Sequence, residues 1–351
     1  MTMRHAVFRA DASVAVGTGH VVRSHTLARA LLARSWRVTF VARDLPAELA
    51  ETLGADGIAV LHLPPGSSIA SEPEAMSTRT GPEVALVVGD HYGLDAEWFA
   101  AVRHQTGGAA LLAIDDLGDR PLPVDLVLNQ NLGATSSIYA ALVPGSSRIM
   151  AGPSYALLRP EFAALRARGR ARDGRVERLL VFVSGADGPD VTARAVEGLG
   201  GLGRPIDVVV GAAYPHLASL RAVVARHPAA TIHVNTGDMA SLMDSADLAV
   251  GAPSSASWER CALGLPAVLV TMADNQADTA RLLVEAGAAE RIGWHTTVTA
   301  SDIERAVRRL CANPGRLKAM SMAAAGVTDG LGTERVLAEI ESVMAEKEEA
   351  R

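Results

Sequence analysis

The sequence alternates short apolar runs with helical patterns, and this alternation occurs twice. In the first half the runs are near-continuous stretches of apolar residues at 5–11, 36–43, 58–63, 84–90, 110–115 and 126–129. Helical patterns lie between several of these runs, for example at 20–35 and 95–106. Strands that are apolar on both faces are typical of a parallel sheet covered by helices on each side. The alternation therefore predicts a doubly wound α/β domain.

The alternation restarts after an arginine-rich segment without core residues, at 166–176, where we place the linker between two domains. The second set of strand-like runs occupies 178–183, 206–210, 230–234, 247–250 and 266–271. Residues 300–348 have only helical patterns, and we expect them to pack back on the sheets. The predicted domains are 1–168 and 176–351. Residues 64–83 are rich in Pro, Gly, Ser and Thr, which predicts a long loop and a candidate lid.

Composition narrows the class of protein. The chain has 351 residues, which favours two domains over one, and its net charge of -6 argues against nucleic acid as a main partner. The two cysteines, Cys261 and Cys311, lie far apart, which suits a reducing compartment and gives no metal-binding cluster. The first residues predict a strand rather than a targeting signal, and no apolar run approaches the roughly 18 residues of a membrane span. We therefore expect a cytoplasmic location.

Lysine is nearly absent, which constrains how a phosphate would be recognised. Only Lys318 and Lys347 occur, both in charged C-terminal segments. A Schiff-base or P-loop lysine is therefore not expected. Backbone N–H groups, hydroxyls or arginine would have to bind a phosphate instead.

A glycine turn and a histidine follow the first predicted strand, in the order Gly17-Thr18-Gly19-His20. Glycines let a backbone approach a phosphate, and free N–H groups at a helix start favour an anion. A histidine there is placed to act as a base near the group attached to that phosphate. A helix-capping or packing histidine is the alternative interpretation of this motif taken alone.

A second polar cluster follows the predicted strand at 247–250. Ser254 and Ser255 precede a helix and suit a diphosphate, and Glu259 lies one turn inside it, where a carboxylate can accept ribose hydroxyls. A surface glutamate completing the first turn is the alternative for Glu259. Asn275 and Gln276 follow the next strand, where amides can hold a sugar hydroxyl or cap the following helix.

Acidic residues end two strands of the first half, at Asp90 and at Asp115-Asp116. Acidic residues at strand ends can bind a metal, but no third carboxylate or histidine lies nearby in the sequence. We therefore expect no metal site.

The motifs together resemble the nucleotide-sugar hydrolases of pseudaminic acid synthesis, which act on UDP-2,4-diacetamido-2,4,6-trideoxy-β-L-altropyranose, and their relatives in spore-coat polysaccharide synthesis. The residues that carry the resemblance span nearly the whole chain and are Phe8-Arg9-Ala10-Asp11-Ala12-Ser13, Gly17-Thr18-Gly19-His20, Asp90-His91-Tyr92-Gly93, Ile114-Asp115-Asp116, Asn129-Gln130-Asn131-Leu132, Gly152 to Arg159, Trp258-Glu259-Arg260-Cys261 and Ala273-Asp274-Asn275-Gln276. The resemblance implies the GT-B fold of MurG, with two Rossmann-like doubly wound domains facing a central cleft.

The resemblance also implies roles for individual residues. His20 would activate water, Tyr92 and Asn275 would line the sugar site, Glu259 would bind the ribose of UDP, and the backbone near Met239 would meet uracil. Further substrate-binding residues would be Arg9, Asp11, Gly17, Gly19, Gly185, Ser254, Ser255 and Gln276. The implied reaction is inverting hydrolysis at the anomeric carbon, which releases UDP and free sugar without a cofactor or metal.

The chain departs from the pattern of these hydrolases at two loops. Relatives commonly have Gly-Gly-x-Asp and then Asn after the first strand of the second domain, where this chain has Ser184-Gly185-Ala186-Asp187 and later Asp190. Before Trp258-Glu259 it has Pro253, which removes an N–H donor. A glycosyltransferase with the same donor site and a non-catalytic nucleotide-sugar binding protein therefore remain alternatives. The oligomeric state is open, with a monomer favoured.

Overall fold

The computed structural model of the chain describes residues 3–12, 17–64, 68–81 and 83–349. Ser13 of the first motif and parts of the expected loop at 64–83 lie outside these ranges. The chain forms two compact units: the first unit comprises Met1–Leu158 and Leu331–Arg351, and the second unit comprises Arg159–Gly330.

The strands and helices follow each other in the alternation that the sequence predicts. The strands are β1 (His5–Ala10), β2 (Arg37–Ala42), β3 (Ala59–His62), β4 (Leu86–Asp90), β5 (Ala110–Ile114), β6 (Leu126–Asn129), β7 (Arg148–Ala151), β8 (Leu179–Phe182), β9 (Ile206–Val210), β10 (Ala230–Val234), β11 (Leu248–Gly251), β12 (Ala267–Thr271) and β13 (Ala289–Trp294). The helices are α1 (Gly19–Leu32), α2 (Ala47–Ala55), α3 (Glu72–Thr80), α4 (Ala96–Gln105), α5 (Ser136–Tyr139), α6 (Pro160–Ala167), α7 (Val191–Leu199), α8 (Leu217–Val224), α9 (Met239–Ser245), α10 (Ala256–Ala262), α11 (Ala277–Glu285), α12 (Ala300–Cys311), α13 (Pro314–Val327) and α14 (Gly332–Glu349).

Each unit contains one parallel sheet. The first has the strand order β3-β2-β1-β4-β5-β6-β7, and the second has the order β10-β9-β8-β11-β12-β13. Interior strands such as β4 and β12 are buried along their whole length, because helices cover both faces. In each sheet the chain crosses over next to the first strand of the unit, at β1/β4 and at β8/β11. Ligands of such sheets bind outside the carboxyl ends of the strands at this switch point.

The division of the chain differs from the predicted domains at both ends of the second unit. The final helix α14 belongs to the first unit, where Val336, Leu337 and Ile340 are fully buried in the core around β1. Helices α12 and α13 pack in the second unit, and Ile303, Val307 and Leu310 of α12 form the expected apolar stripe. The prediction of a helical tail that packs on the sheets is confirmed, but the tail is shared between the two units.

The arginine-rich segment at 166–176 lies inside the second unit rather than between two domains. Arg166 donates to the carbonyl oxygens of Ala262, Ala325 and Thr328. The largely buried Arg172 donates to carbonyls at the end of α9 and before β11 and β12. Carbonyls at helix ends lack partners within the helix, and these guanidinium groups supply them. A segment with the composition of a solvated linker therefore supplies hydrogen-bond donors to carbonyl groups of the second unit.

Two further elements were not expected from the sequence. Helix α3 occupies part of the segment at 64–83, and its first residue, Glu72, is fully buried in ion pairs with Arg9 and Arg43. Strand β13 pairs with β12 although its side chains are only partly buried, which weakens the apolar signal of an edge strand. Among the described helices, none has the length and apolar character that a membrane crossing requires.

Candidate active site

The sheet of the first unit brings together residues that are 70 positions apart in the sequence. Strands β1 and β4 pair in parallel, with Ala10 opposite Asp90 at their carboxyl ends. Gly17 has a φ of 81°, a left-handed conformation that favours glycine, and α1 begins two residues later. His20, in the first turn of α1, therefore lies against the end of β4.

His20 and Asp90 form a buried pair. The Nδ1 atom of His20 lies 2.6 Å from Oδ1 of Asp90, and the His20 side chain is 7% exposed. Burial alone would raise the pKa of Asp90, but the charge and hydrogen bonds of Arg23 outweigh it and hold that pKa well below its usual value. An ionised carboxylate can only accept, which favours a proton on Nδ1. Nη2 of Arg23, which can only donate, lies 3.2 Å from the same Nδ1. With the proton on Nδ1, a neutral ring has its lone pair on Nε2.

The carboxylate of Asp90 is fixed by two other residues of α1. Arg23 donates to both carboxylate oxygens, at 2.6 and 2.8 Å, and the hydroxyl of Ser24 donates to Oδ2 at 3.0 Å. His20, Arg23 and Ser24 are three and four residues apart, a spacing that places them on one face of a helix. Three side chains on this face of α1 therefore contact the same buried carboxylate. The contact with Asp90 holds the His20 ring in one orientation.

A second group of side chains lies around Asp116, immediately after β5. Oδ1 of Asp116 accepts from Nη1 of Arg23 and from the amide of Asn131, each at 2.8 Å. Oδ2 accepts from the hydroxyl of Tyr92 at 3.2 Å. The Tyr92 ring is 38% exposed and packs edge-on against His20, with ring centroids 4.8 Å apart. Tyr92, which the sequence predicts to line the sugar site, is therefore next to the predicted base.

Charges within this group keep its side chains in defined protonation states. Burial would raise the pKa of Asp116, but Arg23 outweighs it and the pKa is lowered, so the carboxylate is ionised at neutral pH. Burial and the Asp116 charge both raise the pKa of Tyr92, so its phenol remains protonated and donates. Among the described residues, no group of three or more His, Cys, Asp or Glu is arranged to hold a metal ion.

The polar atoms of Arg9 and Asp11, two predicted binding residues, make internal contacts. Arg9 is fully buried and pairs with Glu72 at 2.8 Å and with Asp11 at 2.8 Å. Asp11 also accepts from the backbone N–H of Arg43 at 2.7 Å, and His91 Nε2 lies 3.6 Å from its carboxylate. Burial and the Arg9 charge lower the pKa of His91, which disfavours its charged form. These contacts shape the end of β1 beneath the glycine turn.

In the second unit, Gly185 lies in the loop between β8 and α7. The Asp187 carboxylate accepts from the N–H groups of Val191 and Thr192 at the start of α7. Asp190 caps the same helix and is bonded by the hydroxyl of Tyr214. Asp187, which matches the usual pattern of this loop, and Asp190, which stands in place of the usual Asn, are therefore both engaged in shaping it.

Ser254 and Ser255 lie between β11 and α10 at the carboxyl edge of the second sheet. Among the described residues, neither hydroxyl has a hydrogen-bond partner. Glu259 is 18% exposed, and its nearest cation is Arg159, with 3.5 Å between Nη2 and Oε1. Burial raises the pKa of Glu259, and the Arg159 charge only partly opposes it. This edge therefore offers unused donors beside an incompletely paired carboxylate.

The remaining predicted residues lie at the same edge of the second sheet. Asn275 is exposed in the turn after β12. The side chain of Gln276 accepts from the backbone N–H of Met272 at 3.0 Å and so holds this turn. Met239 is the first residue of α9, after β10, and its side chain is buried. Ser254, Asn275 and Met239 thus follow three strands of one parallel sheet.

Sequence reasoning missed the partners of His20. In the sequence, Asp90 is one of the acidic residues at strand ends that can bind a metal, and no motif marks Arg23. The available signal was the helical spacing of His20, Arg23 and Ser24, which predicts a shared polar face on an otherwise buried helix. That signal indicates a buried acceptor, but it does not identify which carboxylate supplies it.

Comparisons with known proteins agree with this fold. The sequence profile of the glycosyltransferase family 28 C-terminal domain matches residues 222–336. The spore coat polysaccharide biosynthesis protein SpsG of Bacillus subtilis is 25% identical over 339 residues, which cover 95% of this chain and 97% of that protein. The UDP-2,4-diacetamido-2,4,6-trideoxy-beta-L-altropyranose hydrolase of Campylobacter jejuni is 25% identical over 286 residues, covering 80% of this chain and 96% of the hydrolase.

Solved structures are similar over nearly the whole chain. MurG of Acinetobacter baumannii superposes with a TM-score of 0.66 at 18% identity, covering 97% of this chain and 99% of MurG. The calicheamicin glycosyltransferase CalG4 gives a TM-score of 0.61 at 16% identity, with coverage of 97% and 99%. At these identities the likeness shows the fold alone. The chain has a GT-B α/β fold with two Rossmann-like parallel sheets.

Proposed function

We propose that this protein hydrolyses a nucleotide sugar, a UDP-linked deoxy-amino sugar, at its anomeric carbon. The observation that carries the proposal is the buried His20–Asp90 pair, in which Asp90 contacts Nδ1 of His20 and Nε2 is the ring nitrogen proposed to act as the base. The similarity to a hydrolase of a UDP-linked diacetamido-trideoxy sugar supports the substrate class. The similarity to a protein of spore coat polysaccharide biosynthesis supports a carbohydrate substrate.

The chemistry assigns one proton transfer to His20. Nε2 takes a proton from water while the water oxygen forms a bond to the anomeric carbon. The bond from that carbon to the diphosphate oxygen breaks, and UDP leaves with the electron pair. A single displacement inverts the configuration of the sugar. Asp90 stabilises the imidazolium, and general-base catalysis of this kind contributes about 10²–10⁴-fold to a rate.

The second unit supplies binding in this proposal. The Ser254 and Ser255 hydroxyls have no partner among residues 3–12, 17–64, 68–81 and 83–349 and are donors suited to diphosphate oxygens. Glu259 would accept the ribose hydroxyls, the backbone at Met239 would meet the base, and Asn275 would bind the sugar. Because donors rather than a cation would stabilise the leaving diphosphate, we propose that the reaction is independent of metal. Turnover that is unchanged by EDTA is the expected result.

The test measures UDP release from a panel of UDP-sugars without any acceptor, in water enriched in ¹⁸O. The proposal predicts ¹⁸O in the free sugar and none in UDP, because the bond from carbon to oxygen breaks. His20→Ala should lose about 10²–10⁴-fold in turnover with UDP affinity nearly unchanged. His25→Ala is the matched control, since His25 lies on the same helix but pairs with Asp56 at 2.8 Å. Equal turnover of His20→Ala and wild type would refute the assignment of the base.

A glycosyltransferase is the second candidate function, favoured by the family 28 profile and by the fold of MurG and CalG4. In that case His20 would deprotonate an acceptor hydroxyl instead of water. The same experiment separates the two, because a transferase releases UDP slowly until an acceptor is added. Tight UDP binding without turnover of any sugar or acceptor would instead indicate a binding protein.

A further inference from the structure

The two oxygens of Asp116 are used unequally. Oδ1 accepts two hydrogen bonds of 2.8 Å, from the guanidinium of Arg23 and the amide of Asn131. Oδ2 accepts one longer bond of 3.2 Å, from the hydroxyl of Tyr92. A carboxylate oxygen has two lone pairs, so Oδ2 has one acceptor position that no donor among the described residues fills.

The charge state of Asp116 makes this position an acceptor only. Arg23 keeps the carboxylate ionised in spite of its burial, so Asp116 has no proton to donate. Each of its described contacts comes from a donor, namely a guanidinium, an amide and a phenol. A ligand group that meets Oδ2 must therefore supply an O–H or an N–H.

Asp116 lies close enough to the proposed base to meet the same ligand. Its side chain is 16% exposed, so the carboxylate is not sealed in the core. Tyr92 links the two residues, because its hydroxyl bonds Asp116 and its ring contacts His20 with 4.8 Å between ring centroids. The base and the free lone pair of Oδ2 are thus separated by one side chain.

We propose that Oδ2 of Asp116 binds a hydrogen-bond donor, a hydroxyl or an acylamino N–H, on the sugar of the nucleotide sugar. This inference rests on the proposed function and specifies the substrate, since it selects sugars that present a donor to this position. A sugar that has only acceptors or a methyl group there would leave the remaining acceptor position of Oδ2 without a donor, which disfavours its binding.

The test measures binding by titration calorimetry in a His20→Ala background, which prevents turnover. The probes are UDP, UDP-glucose, UDP-N-acetylglucosamine and the mono-deoxyfluoro analogues of UDP-glucose, in which one hydroxyl donor at a time is removed. Asp116→Asn is compared with Asp119→Asn, a matched control three residues along whose carboxylate is 59% exposed.

The expected result is a loss of about tenfold or more in affinity for at least one UDP-sugar with Asp116→Asn, because a hydrogen bond to a charged group is lost. UDP affinity should stay within about twofold, and Asp119→Asn should change neither. One fluoro analogue should bind the Asp116 protein about tenfold more weakly than its parent, and that difference should vanish in Asp116→Asn.

Three outcomes have distinct meanings. Equal losses for UDP and every UDP-sugar, or no loss for any of them, would overturn the role of Asp116 while leaving the proposed function intact. Absence of UDP binding to the His20→Ala protein would overturn the proposed function itself. Should Asp116→Asn fail to fold, the fluoro analogues still test the proposal in the protein that retains Asp116. Equal binding of all analogues would refute a hydrogen bond from the sugar to Asp116.

Discussion

The polar side chains at the carboxyl edges of the two sheets differ in how fully they are paired with other groups of the protein. In the first unit, Asp90, Arg23 and Asp116 are buried charges that pair with each other around one imidazole. In the second unit, the loop carboxylate of Asp187 is occupied by backbone N–H groups, while the hydroxyls of Ser254 and Ser255 have no partners among the described residues. A base needs a fixed orientation, whereas an anion site needs donors that the fold has not used. The comparison therefore supports the proposal that residues of the first unit transfer the proton and residues of the second unit bind an anion.

The strongest test of this contrast is Asp90→Asn in the first unit. Removing one partner of a buried ion pair costs about 3–5 kcal/mol of unfolding free energy, and loss of the acceptor for Nδ1 frees the other tautomer of His20. We expect turnover to fall by at least about 10²-fold, with UDP affinity within about threefold of wild type in the folded protein. Urea unfolding and steady-state kinetics measure the two effects. Unchanged turnover would show that Asp90 does not orient the base.

The reciprocal test in the second unit is the double variant Ser254→Ala, Ser255→Ala. Each hydroxyl that bonds a charged diphosphate contributes about 1.5 kcal/mol or more, so loss of both should lower UDP affinity by about 10²-fold or more. Stability should change by less than about 1 kcal/mol, because neither hydroxyl has a hydrogen-bond partner in the part of the chain that the structure describes. Ser245→Ala is the matched control, since that hydroxyl bonds only the Leu242 carbonyl at the end of α9. Equal UDP affinity of the double variant and the control would remove these serines from the site.

Glu259→Gln should change UDP affinity and the stability of the folded protein in opposite directions. Burial raises the pKa of Glu259, so its ionised form at neutral pH is disfavoured in the folded state. The neutral amide should therefore raise the melting temperature at pH 7 by a few degrees, while UDP affinity falls several-fold because an acceptor for ribose hydroxyls is weakened. Differential scanning calorimetry and UDP titration measure the two effects. A lower melting temperature together with unchanged affinity would contradict both expectations.

The smallest expected effect is the change of unfolding free energy with pH. The contributions of Asp90 and Glu259 to this change should have opposite signs. The folded pKa of Asp90 lies below its unfolded value of about 3.9, so its stabilisation is complete above that value and is lost as pH falls below it. The folded pKa of Glu259 lies above its ordinary value, so protonation as pH falls through it favours the folded state. Urea unfolding from pH 3 to 7 should show the gap between wild type and Asp90→Asn narrowing below about pH 4. A difference in unfolding free energy between wild type and Asp90→Asn that widens as pH falls would contradict the expected direction.

The fold and both edges of the sheets could be predicted from the sequence, because buried parallel strands have near-continuous apolar runs and their ends carry the polar residues. His20, Ser254 and Asn275 all follow strands, as expected. The pairing of His20 with Asp90 could not be predicted from the sequence, because it depends on β1 lying beside β4 rather than beside another strand.

The second unit's boundaries could not be predicted for a different reason. Arg166 and Arg172 are charged and lie in an arginine-rich segment with few apolar residues, which predicts solvent exposure. Their guanidinium groups instead bond carbonyl oxygens inside the second unit. The apolar face of α14 identifies a packed helix, but both sheets have faces that such a helix can cover. Its return to the first unit is therefore a property of the tertiary structure.

The tautomer of His20 tests the central claim most directly, and ¹⁵N NMR of the histidine-labelled protein measures it, with His20→Gln for assignment. Above the pKa of the imidazole, we predict a protonated Nδ1 and an unprotonated Nε2 in the wild type, and loss of that preference in Asp90→Asn. A proton on Nε2 in the wild-type neutral ring would contradict the account, because the atom proposed to take the proton from water would already carry one.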